Sequence, residues 1–331
     1  TAQAQPRLPQ TVETSGRELI TPATQQAIDR GLEFLARRQH DDGSFGSRGM
    51  YQRNVAVTSL CAMAFLSAGH TPGRGKYGEV VQKSLDFILS RCEPSGMIVD
   101  HSSKSHGPMY GHGFATLFLA EAYGMSRRED LRPKLEAAIK LIVNTQNDEG
   151  GWRYDPRPVE ADISVTVCQM MALRAARNAG IYVPKTTVDD CVEYVKLSQN
   201  GDGGFRYQLT RQADSMFPRS AAGVVALYSA GIYEGQEIQR GLDYLMRYLP
   251  QNDFFRFENH YFYGQYYAVQ AMWHAGGNYW SRWFPAIRDE LLARQEATGG
   301  WPSMSICTEY STGMACLVLQ MPNNYLPIFQ R

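Results

Sequence analysis

Apolar residues recur along the chain in two alternating patterns. Ile28, Leu32 and Leu35 stand three and four positions apart, the mark of a helix with one apolar face, and Thr21-Pro22 supplies a start signal before it. The next segment is apolar nearly all round (Val55, Val57, Leu60, Met63, Phe65, Leu66), as a helix buried on every side should be. One-sided helices are predicted over 24–38, 77–91, 131–145, 187–198, 237–248 and 283–294. Apolar ones follow them over 54–68, 110–123, 162–179, 217–230, 261–275 and 309–320. This period reads as six helical hairpins. Residues 1–21 are polar and aperiodic, so they read as an extension before a single domain over 22–331.

The linkers carry a device of their own. A glutamine is followed six positions later by an aromatic residue in Gln39…Phe45, Gln146…Trp152, Gln199…Phe205 and Gln295…Trp301, with glycine between. The fullest copy is Gln146-Asn-Asp-Glu-Gly-Gly-Trp152. Glycine permits positive φ and a sharp reversal. The ring can cover the end of the outer helix, and the glutamine amide can serve free helix-end groups of a neighbouring repeat. The linkers of hairpins two and five lack the pattern. Closing six hairpins into a ring buries the faces that an open array must cap.

Gln-x-x-x-Gly-x-Trp, with its Gly-Gly-Trp/Phe form, resembles the QW repeat of squalene-hopene cyclases, oxidosqualene cyclases and protein prenyltransferase β subunits, over roughly residues 22–321. The resemblance implies an all-α fold, an (α/α)6 toroid with an inner ring of helices inside an outer one. It also implies a central cavity fed by the loops that enter the inner helices. Aligning those helices on the glycines that end them puts Asn54, Met109, Asp162, Met216, Tyr261 and Thr308 in one ring. Thr58, Gly113, Thr166, Ser220, Gln265 and Thr312 form a second ring four residues on. Tyr51, Tyr110, Tyr154, Ser164, Tyr207, Asp214, Arg219, Tyr263 and Tyr310 are expected around them, a tyrosine-rich lining with a few polar groups. Aromatic faces stabilise a cation and suit a flat ligand equally well.

Three residues are candidates for chemistry: Asp162, His112 and Glu309. In the resembling squalene cyclases an Asp-x-Asp-Asp motif protonates an alkene, and a carboxyl in apolar surroundings can hold the needed proton. This chain has Asp162-Ile-Ser-Val, without the supporting aspartates. An aspartate before an apolar run is equally a helix cap, and both roles stay open. His112 lies between glycines in Tyr110-Gly-His-Gly113 and reads as a general base, a ligand partner or a donor to a loop carbonyl. Glu309 reads as a cap or a cavity carboxylate. The Asp-x-Cys zinc pair of the prenyltransferases is matched only by Asp189-Asp190-Cys191, on an outer helix, and His101, His106 and His112 lack zinc spacing. We expect no metal and no cofactor.

Composition narrows the partners. Lys+Arg and Asp+Glu each total 33, so the formal net charge is zero, and no nucleic-acid footprint is expected. No run reaches the length of a membrane span. Cys61, Cys92, Cys168, Cys191, Cys307 and Cys316 are dispersed, mostly at apolar helix positions, and read as buried free thiols, with disulfides open. The polar start Thr1-Ala-Gln-Ala-Gln-Pro reads as a cut end or as a mature N-terminus after removal of an export signal; we favour export. Three functions compete. The first is a terpene-cyclase-like protein that binds, and cyclises or otherwise transforms, an apolar isoprenoid-type molecule. The second is a non-catalytic binding or scaffold protein. The third is a carbohydrate-active enzyme, since such enzymes also use six-hairpin toroids. Oligomeric state is not set by the sequence.

Overall fold

A computed structural model describes residues 17–103, 105–211, 213–250, 260–303 and 305–330. Among these residues are twelve α-helices and no strand. The outer ring is α1 (Pro22–Arg38), α3 (Gly78–Ser90), α5 (Leu131–Asn144), α7 (Lys185–Leu197), α9 (Gln236–Met246) and α11 (Gly277–Arg294). The inner ring is α2 (Val55–Ser67), α4 (Pro108–Tyr123), α6 (Ile163–Asn178), α8 (Phe217–Ser229), α10 (Tyr261–Ala275) and α12 (Thr308–Leu319). The burial follows the two apolar patterns. Every residue of α2 except Ala56 is buried, whereas α9 buries Ile238, Gly241, Leu242, Tyr244 and Leu245 on one side. Each inner helix packs on the next, and α12 returns to α2, so the ring closes. Most of the predicted extension, residues 1–16, lies outside the described residues.

Long linkers join outer to inner helices at one end of the ring, and short turns join the hairpins at the other. The shortest turn is Gly276, at φ 68, between α10 and α11. Helix α11 therefore begins at Gly277, earlier than the predicted 283, because Gly277-Asn278 reads as a turn when only periodicity is followed.

The linker device has a defined geometry. Gln146 Nε2 donates to Gly150 O at 2.8 Å and to Thr187 O of the next outer helix, α7, at 2.9 Å. Gln39 does the same to Gly43 and to Val80 of α3, and Gln199 to Gly203 and to Glu237 of α9. Gln295 donates to Gly299 and to Ala27 of α1, which carries the chain of contacts round to its start. The expectation that the amide serves unpaired helix-end groups needs correction. The carbonyls of Val80, Thr187, Glu237 and Ala27 lie inside helix N-termini, where the unpaired groups are N–H, so the amide uses a carbonyl's second lone pair. Gly150 sits at φ 92, and a Cβ there would lie 2.2 Å from Asp190 O on α7. The indoles of Trp152 and Trp301 donate to Ile142 O and Leu291 O, each at 2.8 Å, and so add a partner to carbonyls in the last turns of α5 and α11. Hairpin two keeps the same turn without the signature residues. Cys92 pairs with Ile98 as Gln199 pairs with Phe205, and Gly96 at φ 89 would place a Cβ 2.3 Å from Ala137 O of α5.

The C-terminal residues cross the opposite end of the ring. Trp273 Nε1 donates to Phe329 O at 3.0 Å, Ile328 N to Glu121 Oε1 at 3.2 Å, and Arg174 to the carbonyls of Tyr228 and Gln330. Thus α4, α6 and α10 all hold this segment, and the site described next lies at the long-linker end.

Candidate functional site

Asp162 is both a cap and a buried acid. Its φ of −137° and ψ of 152° are extended, and its Oδ1 accepts the N–H groups of Ser164 at 2.9 Å and Val165 at 3.0 Å. Among the described residues its Oδ2 has no hydrogen-bond partner, and the side chain is fully buried. Burial pushes its pKa up to about 6, against the opposing pull of the Val165 N–H, the Arg153 guanidinium, the Ser164 N–H and the nearby Tyr207 hydroxyl. Arg153 Nη1 stands 3.9 Å from Oδ2, while Arg153 Nε pairs with Glu160 at 2.8 Å.

Tyrosines from five hairpins gather in this region. Tyr154 and Tyr207 join hydroxyl to hydroxyl, and the Arg153 guanidinium lies over both rings, 4.8 and 5.7 Å from their centroids. The Tyr110 ring is 6.0 Å from that of Tyr154. Tyr263 donates to Ser164 O at 2.8 Å, and its ring meets that of Tyr267 at 4.7 Å. Cys168 lies against the Tyr267 hydroxyl at 3.3 Å. Burial raises the hydroxyl pKa of Tyr110, Tyr263 and Tyr267 well above the ordinary phenol value, and the Asp162 carboxyl, when charged, pushes those of Tyr110 and Tyr263 the same way. Tyr310, also buried and raised by burial, completes the group. These phenols stay neutral, so the cluster offers π faces and hydroxyls rather than bases.

Other expected site residues are placed differently. His112 is fully buried, with Nδ1 accepting the Ile98 N–H at 3.2 Å and Nε2 facing Ala138 O at 3.3 Å. That fixes the neutral ring with its proton on Nε2, and burial pulls the pKa down to about 4. His112 does here what Thr58, Thr166, Ser220 and Thr312 do for Phe45, Trp152, Phe205 and Trp301, whose N–H groups donate to those hydroxyls at 2.9 to 3.1 Å. Thr58, Thr166, Ser220 and Thr312 of the second ring therefore hold linkers, and the member that does so in hairpin two is His112, one residue from the expected Gly113. Glu309 is buried and bound by Arg38 Nε and Ser47 Oγ, both at 2.9 Å. Its pKa is lowered: its own backbone N–H, Ser47 and Arg38 outweigh burial, which pulls the other way. Tyr261 turns outward to Glu290 at 2.9 Å, under Arg294. Asn54 caps α2 through Ala56 and Val57 and reaches Ser103 at 2.8 Å, while Tyr51 meets His106 at 3.2 Å. Asp214 is exposed; its carbonyl accepts from Arg219, whose guanidinium lies 5.9 Å from the Tyr207 ring.

Arg153, Cys168, Tyr266 and Tyr267 belong to the cluster and were not expected there. Two signals were available. Trp152-Arg153-Tyr154 parallels Phe205-Arg206-Tyr207, and Tyr263, Tyr266 and Tyr267 share one helix face by their spacing. Among the described residues no His, Cys, Asp and Glu gather as metal ligands, and the six cysteines are unpaired. No helix among them is long and apolar enough to cross a membrane. An open cavity of about 430 Å³ lies on the rim between the first two linkers, lined by Arg53, Arg91, Glu93, Asp100 and His101 among others.

Comparison with known proteins agrees with this architecture. The family model of the squalene-hopene cyclase C-terminal domain matches residues 115–253, and that of the prenyltransferase alpha-alpha toroid domain matches residues 14–109. Drimenyl diphosphate synthase of Streptomyces showdoensis is 25% identical over 182 residues, 54% of this chain; the match spans 32% of that relative's length. The type II terpene cyclase MstE from Scytonema superposes with a TM-score of 0.64 at 16% identity, covering 92% of this chain and 99% of that one. MstE variants have been solved with geranylgeranyl dihydroxybenzoate as substrate and with merosterolic acid A as product. A GH76A α-1,6-mannanase from Salegentibacter reaches a TM-score of 0.66 at 7% identity, covering 90% of this chain and 98% of that one. Likeness at such identities speaks for the fold alone. With the two family models, the closed double ring and its linkers, the chain is a terpenoid-cyclase-like α/α toroid.

Proposed function

We propose that the protein binds an isoprenoid-type apolar molecule among the tyrosines at the long-linker end of the inner ring, and that Asp162 is the proton donor that starts its transformation. One observation carries this reading: a fully buried carboxyl with a pKa of about 6 has one oxygen committed to the helix cap and the other unpartnered, under neutral aromatic rings. The cap fixes the carboxyl in place. Close to half of it is protonated near pH 6 and most of it below, so it can protonate an alkene or an oxygen and hand positive charge to the ligand. The rings of Tyr110, Tyr154, Tyr207 and Tyr263 then face that charge with their π electrons. The terpene cyclases named above support the ligand class. The test is incubation with linear isoprenoids of graded length and analysis for cyclised or rearranged products. Turnover by the native protein and none by Asp162→Asn is expected; equal turnover by both removes Asp162 from the chemistry.

A second reading, a binding protein without chemistry, has its own support. Tyr154 and Tyr207 are joined to each other and Tyr263 to Ser164, so the protein's own side chains occupy much of the cluster. Binding without turnover in the same assay would favour it. The glycosidase reading is weaker, because a pair of facing carboxylates is needed. Glu160 is held by Arg153, and Glu309 by Arg38 and Ser47.

A further inference from the structure

The facing atoms of Arg153 and Asp162 carry an inference about the ligand's chemistry. Arg153 Nη1 and Asp162 Oδ2 are both sealed from solvent, and neither has a hydrogen-bond partner among the described residues. They stand 3.9 Å apart, too far to bond each other. Both groups are anchored from behind. Asp162 Oδ1 takes two N–H groups of α6, and Arg153 is held by Glu160 and by the rings of Tyr154 and Tyr207. The pair is thus a loose ion pair, with each partner also held by other contacts. Two unsatisfied polar atoms in a buried place are costly unless something bridges them. An oxygen atom set off the line between them reaches both at ordinary hydrogen-bond length. It accepts from the guanidinium and shares a proton with the carboxyl.

We propose that this gap receives the oxygen of an isoprenoid alcohol or carbonyl compound, so that the ligand is an oxygenated isoprenoid rather than a hydrocarbon; this rests on the function proposed above. Arg153 is then a specificity-determining residue. The apolar chain lies along the tyrosines, and its oxygen is read by one donor and one carboxyl. This is a binding step, and no bond other than hydrogen bonds forms or breaks.

The test compares farnesol with farnesene, which share a skeleton and differ by the hydroxyl, in direct binding to the full chain by tryptophan fluorescence. The native protein should hold farnesol about tenfold or more tighter, the ratio expected of hydrogen bonds to charged groups. Arg153→Met and Asp162→Asn should each bring that ratio close to one, with the fall in farnesol affinity exceeding any change for farnesene; asparagine keeps the helix cap. Glu160→Gln removes a partner of Arg153 but not the gap, and should retain the preference. Equal affinity for the two probes in the native protein overturns the oxygen gap and leaves an isoprenoid site standing. Failure of both probes to bind overturns the gap and the isoprenoid reading together.

Discussion

At the scale of single residues, Asp162 and His112 show how one position carries two meanings. Asp162 was legible as a helix cap or as an acid, and it is a cap whose second oxygen stays buried and unbonded. Asparagine can replace the cap and alanine cannot, so Asp162→Ala should cost about 1 kcal/mol of cap stability that Asp162→Asn does not. Urea unfolding of the two variants checks this. Three readings were open for His112, and the geometry fits the structural one: the residue is enclosed and bonded at both nitrogens, with Nε2 at a carbonyl. Sequence spacing could not reveal this, since a histidine stands where the other hairpins have Thr or Ser. His112→Phe should leave the Ile98 N–H unpaired and cost ~1–3 kcal/mol, a loss that a melting comparison would expose. The pH behaviour follows from the depressed pKa. The unfolded chain takes up a proton near the ordinary value of 6.5, but the folded His112 does so only near 4. Its contribution to stability is complete above 6.5 and is lost as pH falls towards 4. Asp162 acts in the opposite sense. With a folded pKa near 6 against 3.8, it binds its proton more tightly when folded, so its contribution declines as pH rises through that window. His112→Phe should therefore flatten the acid limb of the stability curve, and Asp162→Asn should raise stability above pH 6 relative to the native chain.

At the scale of elements, the helices were legible within about two residues at each end except for the start of α11, because two different apolar patterns alternate and each matches the burial of its ring. The linkers were legible in four copies by their residues. The hairpin-two copy was hidden, because its turn survives with Cys92 and Ile98 in place of glutamine and an aromatic. What the device preserves is a positive-φ glycine against the next outer helix, and the backbone demands that more strictly than the side chains do. Gly150→Ala would force a Cβ to 2.2 Å from a carbonyl oxygen at φ 92, so it should destabilise more than Gln146→Ala, which loses two side-chain bonds. Thermal melts of both variants decide the order, and the reverse order would mean that the amide, not the turn, holds the hairpins together. The tyrosine cluster was legible in outline, but side-chain direction was not. Tyr261 and Tyr263 are two residues apart on one helix, so one faces Glu290 outside and the other Ser164 inside.

At the scale of the whole molecule, closure depends on contacts between the first and last hairpins. Gln295 reaches Ala27, and Arg38 reaches the buried Glu309. The lowered pKa of Glu309 means that this contact contributes while the carboxylate is charged and is lost as pH falls through its folded pKa. Arg38→Met leaves that carboxylate with Ser47 and its own N–H, so the variant should melt below the native chain at neutral pH and converge with it in acid. The opposite end is closed by the C-terminal residues on Glu121, Arg174 and Trp273. A ligand would thus enter from the long-linker end, where Asp162 caps α6 and the tyrosines meet. The most direct measurement of this account is a crystal structure grown with farnesol. The account predicts elongated density along Tyr110, Tyr154, Tyr207 and Tyr263, with its oxygen between Arg153 and Asp162. A tyrosine cluster closed on itself, with farnesol absent or bound in the rim cavity by Arg53 and Arg91, would contradict it.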